Sequence, residues 1–284
     1  MHIPDGFLAT PVWATLDVAA APAVVYLTRR AQRTLEENKV PLLGVLGAFV
    51  FAAQMINFPV GPGTTGHLVG GALLAFTLGP APASVVMVAI LAIQALVFQD
   101  GGVLALGANI INMAIVGVLA GYLPFHIWGE TRWRRFSLFA GGALSVLVSA
   151  CLALAELLIS GVRMPVSVLS ISLALFAVSA LLEGAITLAV MQALERIQPK
   201  TVRHPQPGGS PVLAFIGLTA VLLATVGVLF AAGGPDGIEK ILNLHPASLH
   251  STFLRQASAG ILGLVLIYVA CLVIGRVAGR PRSL

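Results

Sequence analysis

Residues 81–98 read APASVVMVAILAIQALVF, eighteen positions without one charged side chain. A helix needs about 20 predominantly apolar residues to cross the hydrocarbon of a bilayer. Eight more hydrophobic segments flank this one, at about 11–28, 41–58, 67–79, 103–124, 136–160, 165–193, 211–232 and 257–275. Segment 67–79 is short. It reads as a half-span, or as one arm of a bent hairpin with 81–98 through Gly79, Pro80 and Pro82. The expected fold is all-α, a polytopic membrane helical bundle with about nine transmembrane segments.

Composition points the same way. Of 284 residues, 58% are hydrophobic and only 10% are charged. Soluble domains carry about 25% charged residues, enough to cover a wet surface. The net charge of +5 therefore reports orientation in a membrane and gives no case for nucleic acid. Cys151 and Cys271 lie far apart in apolar runs, so no disulfide framework or thiolate zinc site is readable. None of Lys39, Lys200 and Lys240 follows a glycine, which excludes a phosphate-binding Walker loop. Any ATP hydrolysis belongs to another subunit. Internal repeats and low-complexity segments are not evident.

Basic residues set the orientation. With the amino terminus outside, the inner loops hold Arg29, Arg30, Arg33 and Lys39, then Arg132, Arg134 and Arg135, then Arg196, Lys200 and Arg203. The tail adds Arg276, Arg280 and Arg282. These are 13 of the 16 basic residues, and only Arg163, Lys240 and Arg255 fall outside. Such asymmetry is the positive-inside signature. It implies an odd number of spans and a cytoplasmic carboxyl end. Arg29, Arg30 and Arg33 follow the first apolar run, whereas a cleavable signal peptide carries its charge in front. The first helix is therefore expected to stay in the bilayer.

This orientation brings two histidines to one face. The chain starts MHIPDGFL (1–8), with His2 one peptide bond from the terminal amine. The amine, the His2 amide nitrogen and the His2 imidazole can chelate one ion through a five- and a six-membered ring. Three nitrogens then lie in a plane, and a fourth completes the square favoured by Ni(II) or Cu(II). His67 is the candidate fourth ligand. It lies in NFPVGPGTTGHLVGG (57–71), whose five glycines and two prolines give an irregular backbone. At membrane depth such backbone is tolerated only where protein packs it or where it lines a cavity. His67 is expected to open the third helix, with Thr64 or Thr65 as its cap. The helix dipole there would keep the imidazole neutral. His126 and His204 fall on the inner face, whereas His245 and His250 fall in the last outer loop.

Other polar groups sit in apolar surroundings. Gln94, Asn109 and Asn112 read chiefly as interhelical hydrogen-bonding amides. Thr64, Thr65, Asn109 and Asn112 are candidates for supporting the ligands from behind. Asp17, Glu156 and Glu183 are ionisable groups within spans, which makes each a functional hypothesis. Glu156 and Arg163 stand two helical turns apart and are expected to pair. Asp5 and Asp100 lie on the outer side, where they attract cations, and Asp5 also suits a Pro-Asp-Gly turn. Ala19/Ala23 and Gly117/Gly121 have the small-xxx-small spacing of close helix contacts.

The stretch ERIQPKTVRHPQPGGSP (195–211) is polar, with four prolines and two glycines. It divides a metal-binding membrane domain, 1–200, from a two-helix module, 211–284, whose outer loop contains GGPDGIEK.

MHIPDGFL, GTTGHLVGG and GANIINMAIVG together resemble the substrate-binding membrane component of cobalt and nickel energy-coupling-factor transporters (CbiM/NikM type), over about residues 1–195. The tail resembles their small companion subunit with a PDGLE motif, here Pro235-Asp236-Gly237-Ile238-Glu239. Ile238 departs from the motif without altering a turn. The resemblance implies a multi-pass protein of a prokaryotic plasma membrane that takes Ni(II) or Co(II) from outside. Its ligands would be the Met1 amine, the His2 amide and imidazole, and His67. It also implies a transmembrane coupling subunit and two cytoplasmic ATPases as partners, no resident cofactor and no enzymatic activity in this chain. The alternative is a stand-alone secondary metal transporter or channel that uses Asp17, Glu156 and Glu183. A membrane enzyme is disfavoured, because His245, His250 and Glu239 match no catalytic spacing. Nickel and cobalt are not distinguished; neighbouring cobalamin genes would indicate cobalt, and urease or hydrogenase genes nickel.

Overall fold

Among the described residues, a helix lies in each of the nine hydrophobic segments. The structure, a computed structural model, describes residues 1–35, 40–61, 64–197, 210–230, 236, 238–239, 242 and 253–278. The helices are α1 (Thr10–Thr34), α2 (Val40–Gln54), α3 (Gly71–Leu78), α4 (Pro80–Phe98), α5 (Leu106–Trp128), α6 (Arg134–Ile159), α7 (Val166–Ile197), α8 (Ser210–Thr225) and α9 (Phe253–Ala278). Five of them, α1 and α4 to α7, are long and apolar enough to cross a membrane. The protein is a mostly helical, multi-pass membrane protein. Lys39, the linker 198–209 with Lys200, Arg203 and His204, Lys240, the loop carrying His245 and His250, and Arg280 and Arg282 lie outside the described residues.

Two expectations need correction. The fold is not purely α. Phe58–Gly61 (β1) and Thr64–Gly66 (β2) form an antiparallel hairpin, with Pro59 opposite Thr65 and Phe58 opposite Gly66. Consecutive β-branched threonines suit an extended strand better than a cap. Nor does His67 open a helix. Helix α3 starts at Gly71, after Gly70 at φ +74°. Residues 67–70 are irregular, and the cap position of α3 is Gly70, with no side-chain cap. Helix α3 has eight residues, all buried. At 1.5 Å per residue it is about 12 Å long, too short to cross. It is a core helix that carries the 67–70 turn into the bundle, as the half-span reading allowed.

Close backbone contacts hold the bundle together. In lipid, apolar side chains gain little by meeting one another, and helices associate through fit. A β-carbon on Gly121 would stand 2.9 Å from Ala72 and one on Gly117 2.4 Å from Ser149 Oγ, so this small-xxx-small pair does bring α5 against α3 and α6. A β-carbon on Gly142 would lie 3.0 Å from the Gly184 Cα, which seats α6 on α7. Helices α8 and α9 pack on α2. There Gly44 faces the Tyr268 ring, Gly47 faces Cys271, and Phe51 fills the space above Gly263.

Gly70 is needed twice over: its φ is left-handed, and an added β-carbon would lie 2.5 Å from Val50 Cγ1. Gly70→Ala should therefore cost about 1–3 kcal/mol of stability. Gly217→Ala, on α8 with nothing nearer than 3.9 Å, should be neutral or slightly stabilising. Unfolding of the two variants in detergent, followed by circular dichroism, checks the contrast.

Candidate metal centre

The amino-terminal segment is pinned residue by residue onto the loop before α5. Ile3 is fully buried. Its amide donates to Asn109 Oδ1 at 2.8 Å, and its carbonyl accepts from Asn109 Nδ2 at 3.1 Å and from Gly102 N at 2.9 Å. The Asn109 side chain thus grips both faces of one peptide. Asp5 reaches across instead of closing its own turn. It accepts from the amides of Val103, Leu104 and Ala105 at 3.0, 2.8 and 3.3 Å. Gly101, at φ +95°, lets the loop pass beside His2, where an added β-carbon would sit 3.0 Å from the His2 Cβ.

This path delivers the chain end to His67. Met1 N lies 3.2 Å from His67 Nε2, although 66 residues separate them in sequence. The His2 and His67 rings are nearly parallel, with centroids 5.5 Å apart and 8° between planes. His67 Nδ1 donates to the Leu68 carbonyl at 2.9 Å. That bond fixes the tautomer and leaves the Nε2 lone pair directed at the amine. Both ring nitrogens of His2 are buried without an aligned hydrogen-bond partner, although Nδ1 lies 3.1 Å from Asp100 Oδ1. Buried donors and acceptors are seldom left unmatched, so His2 is poised for a ligand. The Asp100 carboxylate, 54% exposed, faces the mouth as its outer position suggested. Among the described residues, no group of three His, Cys, Asp or Glu side chains is close enough to hold a metal.

His67 is held neutral by a cause other than the expected helix dipole. Burial of the ring, then the positive terminal amine, then His2 lower its pKa to about 4. A neutral imidazole is the form that binds metal.

The turn carrying His67 is clamped by two side chains, one of them braced from behind. Gln54 Nε2 donates to the Val69 carbonyl at 2.7 Å, and Gln94 Nε2 donates to Gln54 Oε1 at 2.7 Å. Glu183 accepts from the amides of Val69 and Gly70, both at 2.8 Å. Glu156 accepts from Asn112 Nδ2 at 2.8 Å instead of pairing with Arg163. Asn112 therefore braces α6. Asp17 accepts from Gly107 N at 2.7 Å, at the start of α5. Gln54 escaped the sequence reading, although an amide in an apolar run carries the same signal as Gln94.

The sequence places Asp236 and Glu239 of the last outer loop on the same face as His2, where that loop is expected to guard or shape the site; the direct contact with the chain end carries no sequence signal. Asp236 Oδ2 accepts from Met1 N, and Asp236 bridges to Thr65 of β2. The expected turn is present. Asp236 Oδ1 accepts from Ile238 N and Glu239 N, and Glu239 Oε2 accepts from Asp236 N, all at 2.8 Å. This is a capping box with Asp in the leading place. Burial raises the Glu239 pKa; it raises that of Asp236 too, but the terminal ammonium outweighs burial and holds Asp236 below the usual range. Met1, Thr65, His67, Phe176, Ser179 and Asp236 line a recess of about 10 Å³. That is room for about one water, so it suits a single ion and excludes an organic substrate.

Fold and recess together define a multi-pass membrane protein with a small recess where the buried chain end meets His67 and Asp236. The family model described as the cobalt uptake substrate-specific transmembrane region matches residues 2–201. This chain belongs to that family, a component of metal transporters. It is 38% identical over 203 residues to a putative metal transport protein of Haloquadratum walsbyi, covering 71% of this chain and 93% of the relative. It is 36% identical over 239 residues to a putative fused nickel transport protein of Archaeoglobus fulgidus, covering 81% and 76%. A crystal structure of a transition metal transporter superposes with a TM-score of 0.62 at 30% identity, over 72% of this chain and 96% of that one.

Two outcomes follow from this geometry. Asn109→Ala strands the buried Ile3 amide, while the Ile3 carbonyl keeps Gly102 N, a loss of about 1–3 kcal/mol. Hydrogen exchange at the Ile3 amide should accelerate about 10- to 100-fold. Below its ordinary pKa of 6.5 an unfolded histidine binds a proton that folded His67 refuses until about pH 4. This residue's contribution therefore lowers stability as pH falls from 6.5 towards 4, and then levels. Imidazole NMR should show the His67 midpoint near 4, and His67→Gln should remove that part of the pH dependence.

Proposed function

We propose that this chain is the ion-capturing membrane subunit of an ATP-driven importer for Ni(II) or Co(II). The ion enters from the outer face and binds the Met1 amine, the His2 amide and imidazole nitrogens, and His67 Nε2. One observation carries this reading: the α-amine and the free nitrogen of a neutral His67 meet at 3.2 Å, beside a buried His2 that lacks an aligned partner. The names of the relatives, among them a fused nickel transport protein and a cobalt transport protein of Acetoanaerobium sticklandii, support both metals. Binding through a deprotonated amide favours nickel, while the tetrahedral preference of zinc suits a planar set poorly. The reading requires Met1 to be the mature amino terminus.

The wider assembly is part of the proposal. The chain sits in the plasma membrane of a prokaryote, amino terminus outside and carboxyl end inside, with residues 1–200 binding metal and 211–284 as the companion module. A transmembrane coupling subunit and two cytoplasmic ATPases complete the importer, and this subunit catalyses no reaction. The rival secondary transporter would need Asp17, Glu156 and Glu183 to form a path. Each is instead engaged with a separate partner: Gly107, Asn112 and the Val69–Gly70 turn.

Protein purified with a free amino terminus should bind one Ni(II) with a planar-nitrogen absorption band. His2→Ala, His67→Ala and one residue added before Met1 should each weaken binding more than about 100-fold, since even groups behind a metal ligand are worth 10- to 100-fold. Binding unaffected by the extension would sink the chelate. Metal accumulation by cells lacking the ATPases would sink the energy source.

A further inference from the structure

The residues after 211 contribute a charged group to the site itself. Met1 is almost enclosed, at 9% exposure, and Asp236 is 13% exposed. The α-amine has two neighbours, His67 Nε2 and Asp236 Oδ2. The Asp236 carboxylate is divided between two tasks. Oδ1 closes its own turn onto Ile238 N and Glu239 N, which leaves Oδ2 for the amine. The turn is anchored in its turn: Ile238 is fully buried, and Asp236 bridges to Thr65, two residues from His67.

We infer that Asp236 is a positioning residue for metal capture, holding the Met1 amine on His67 Nε2 so that the first and last donors of the chelate are together before the ion arrives. This rests on the proposed metal reading and deepens it. A chain end is otherwise the most poorly ordered part of a protein. Holding it in advance removes an ordering cost from the binding step. Charge favours the same arrangement. A divalent ion bound by one deprotonated amide keeps a net positive charge, and a buried carboxylate touching the amine offsets it where solvent cannot. Asp100, half exposed, is better screened and serves this purpose less.

The test uses the full chain with its native amino terminus, as wild type and as Asp236→Asn. Asparagine is an equally good cap, so the 236–239 turn persists while the charge on the amine is lost. In metal-free protein, acylation of the α-amine by an N-hydroxysuccinimide ester, read by intact mass, should be at least about tenfold faster in Asp236→Asn, because an amine released from a paired, buried position is exposed to reagent. Ni(II) affinity should fall about tenfold or more with the absorption band unchanged, because preorganisation alters affinity without altering the donor set. Equal acylation rates overturn the inference, as does equal or tighter Ni(II) binding in the variant. An altered band would also overturn it, because Asp236 would then be a ligand or a structural prop. Wild type that protects its amine yet never binds Ni(II) leaves Asp236 as the holder of the amine while overturning its part in metal capture, and it sinks the metal reading separately.

Discussion

Backbone nitrogen cannot be aimed by a rotamer. A site that uses the terminal amine and the first peptide nitrogen must place the main chain itself, and this requirement governs the fold around the pocket. The grip of Asn109 on Ile3 meets it most directly, because one amide side chain satisfies both polar groups of the peptide next to His2. Asp5 repeats the device two residues later on three consecutive amides. Between them, Met1 to Asp5 is bound to the 101–109 stretch almost as an added strand would be.

The same logic accounts for charge inside the bundle. Asp17 accepts from the Gly107 amide in the first turn of α5, and Glu183 accepts from the Val69 and Gly70 amides just before α3. Amides at and just before a helix start have no partner in its ladder, and an unsatisfied one is costly in hydrocarbon. A carboxylate placed there satisfies them and benefits from the positive end of the helix. Glu156 instead accepts from the Asn112 side chain and ties α6 to α5. The π-helical segments at Gln94–Phe98 and Ile110–Val116 belong with them. Each widens a turn beside a working amide, Gln94 in one case and Asn112 in the other, as π-bulges at functional sites often do.

Much of this was legible in the sequence, and the parts that were not share a cause. Hydrophobic segments are read from composition over about twenty residues, which is a local property; among the described residues each contains a helix, and five of these are long and apolar enough to cross a membrane. The pairing of His2 with His67 was legible because chelate geometry and charge asymmetry both confine it to one face. The pairing of β1 with β2 was missed because a stretch rich in Gly and Pro carries no usable periodicity, and a threonine ahead of an apolar run also reads as a helix cap. Gly70 then ended the ambiguity through a left-handed φ, which a sequence containing five glycines in that loop does not assign to any one of them. Asp236 was legible as a group on the face of His2, but its contact with the chain end was out of reach for a different reason. Its contact with Met1 spans 235 positions and depends on how α8 and α9 seat on α2.

That seating has a consequence of its own. The recesses that receive α9 are Gly44 and Gly47, and the ring that fills Gly263 is Phe51, so α2 carries the matching surface. The address of the last two helices is written in residues 40–54 and does not depend on the tether that joins them. Sever the chain anywhere in 198–209 and every groove and ridge of that joint is still present. The tether then supplies proximity and a fixed one-to-one ratio, while recognition remains where it was. The two parts are built like a lock and a key sold on one ring, and a cell that made them from separate messages would lose the ring but keep the fit.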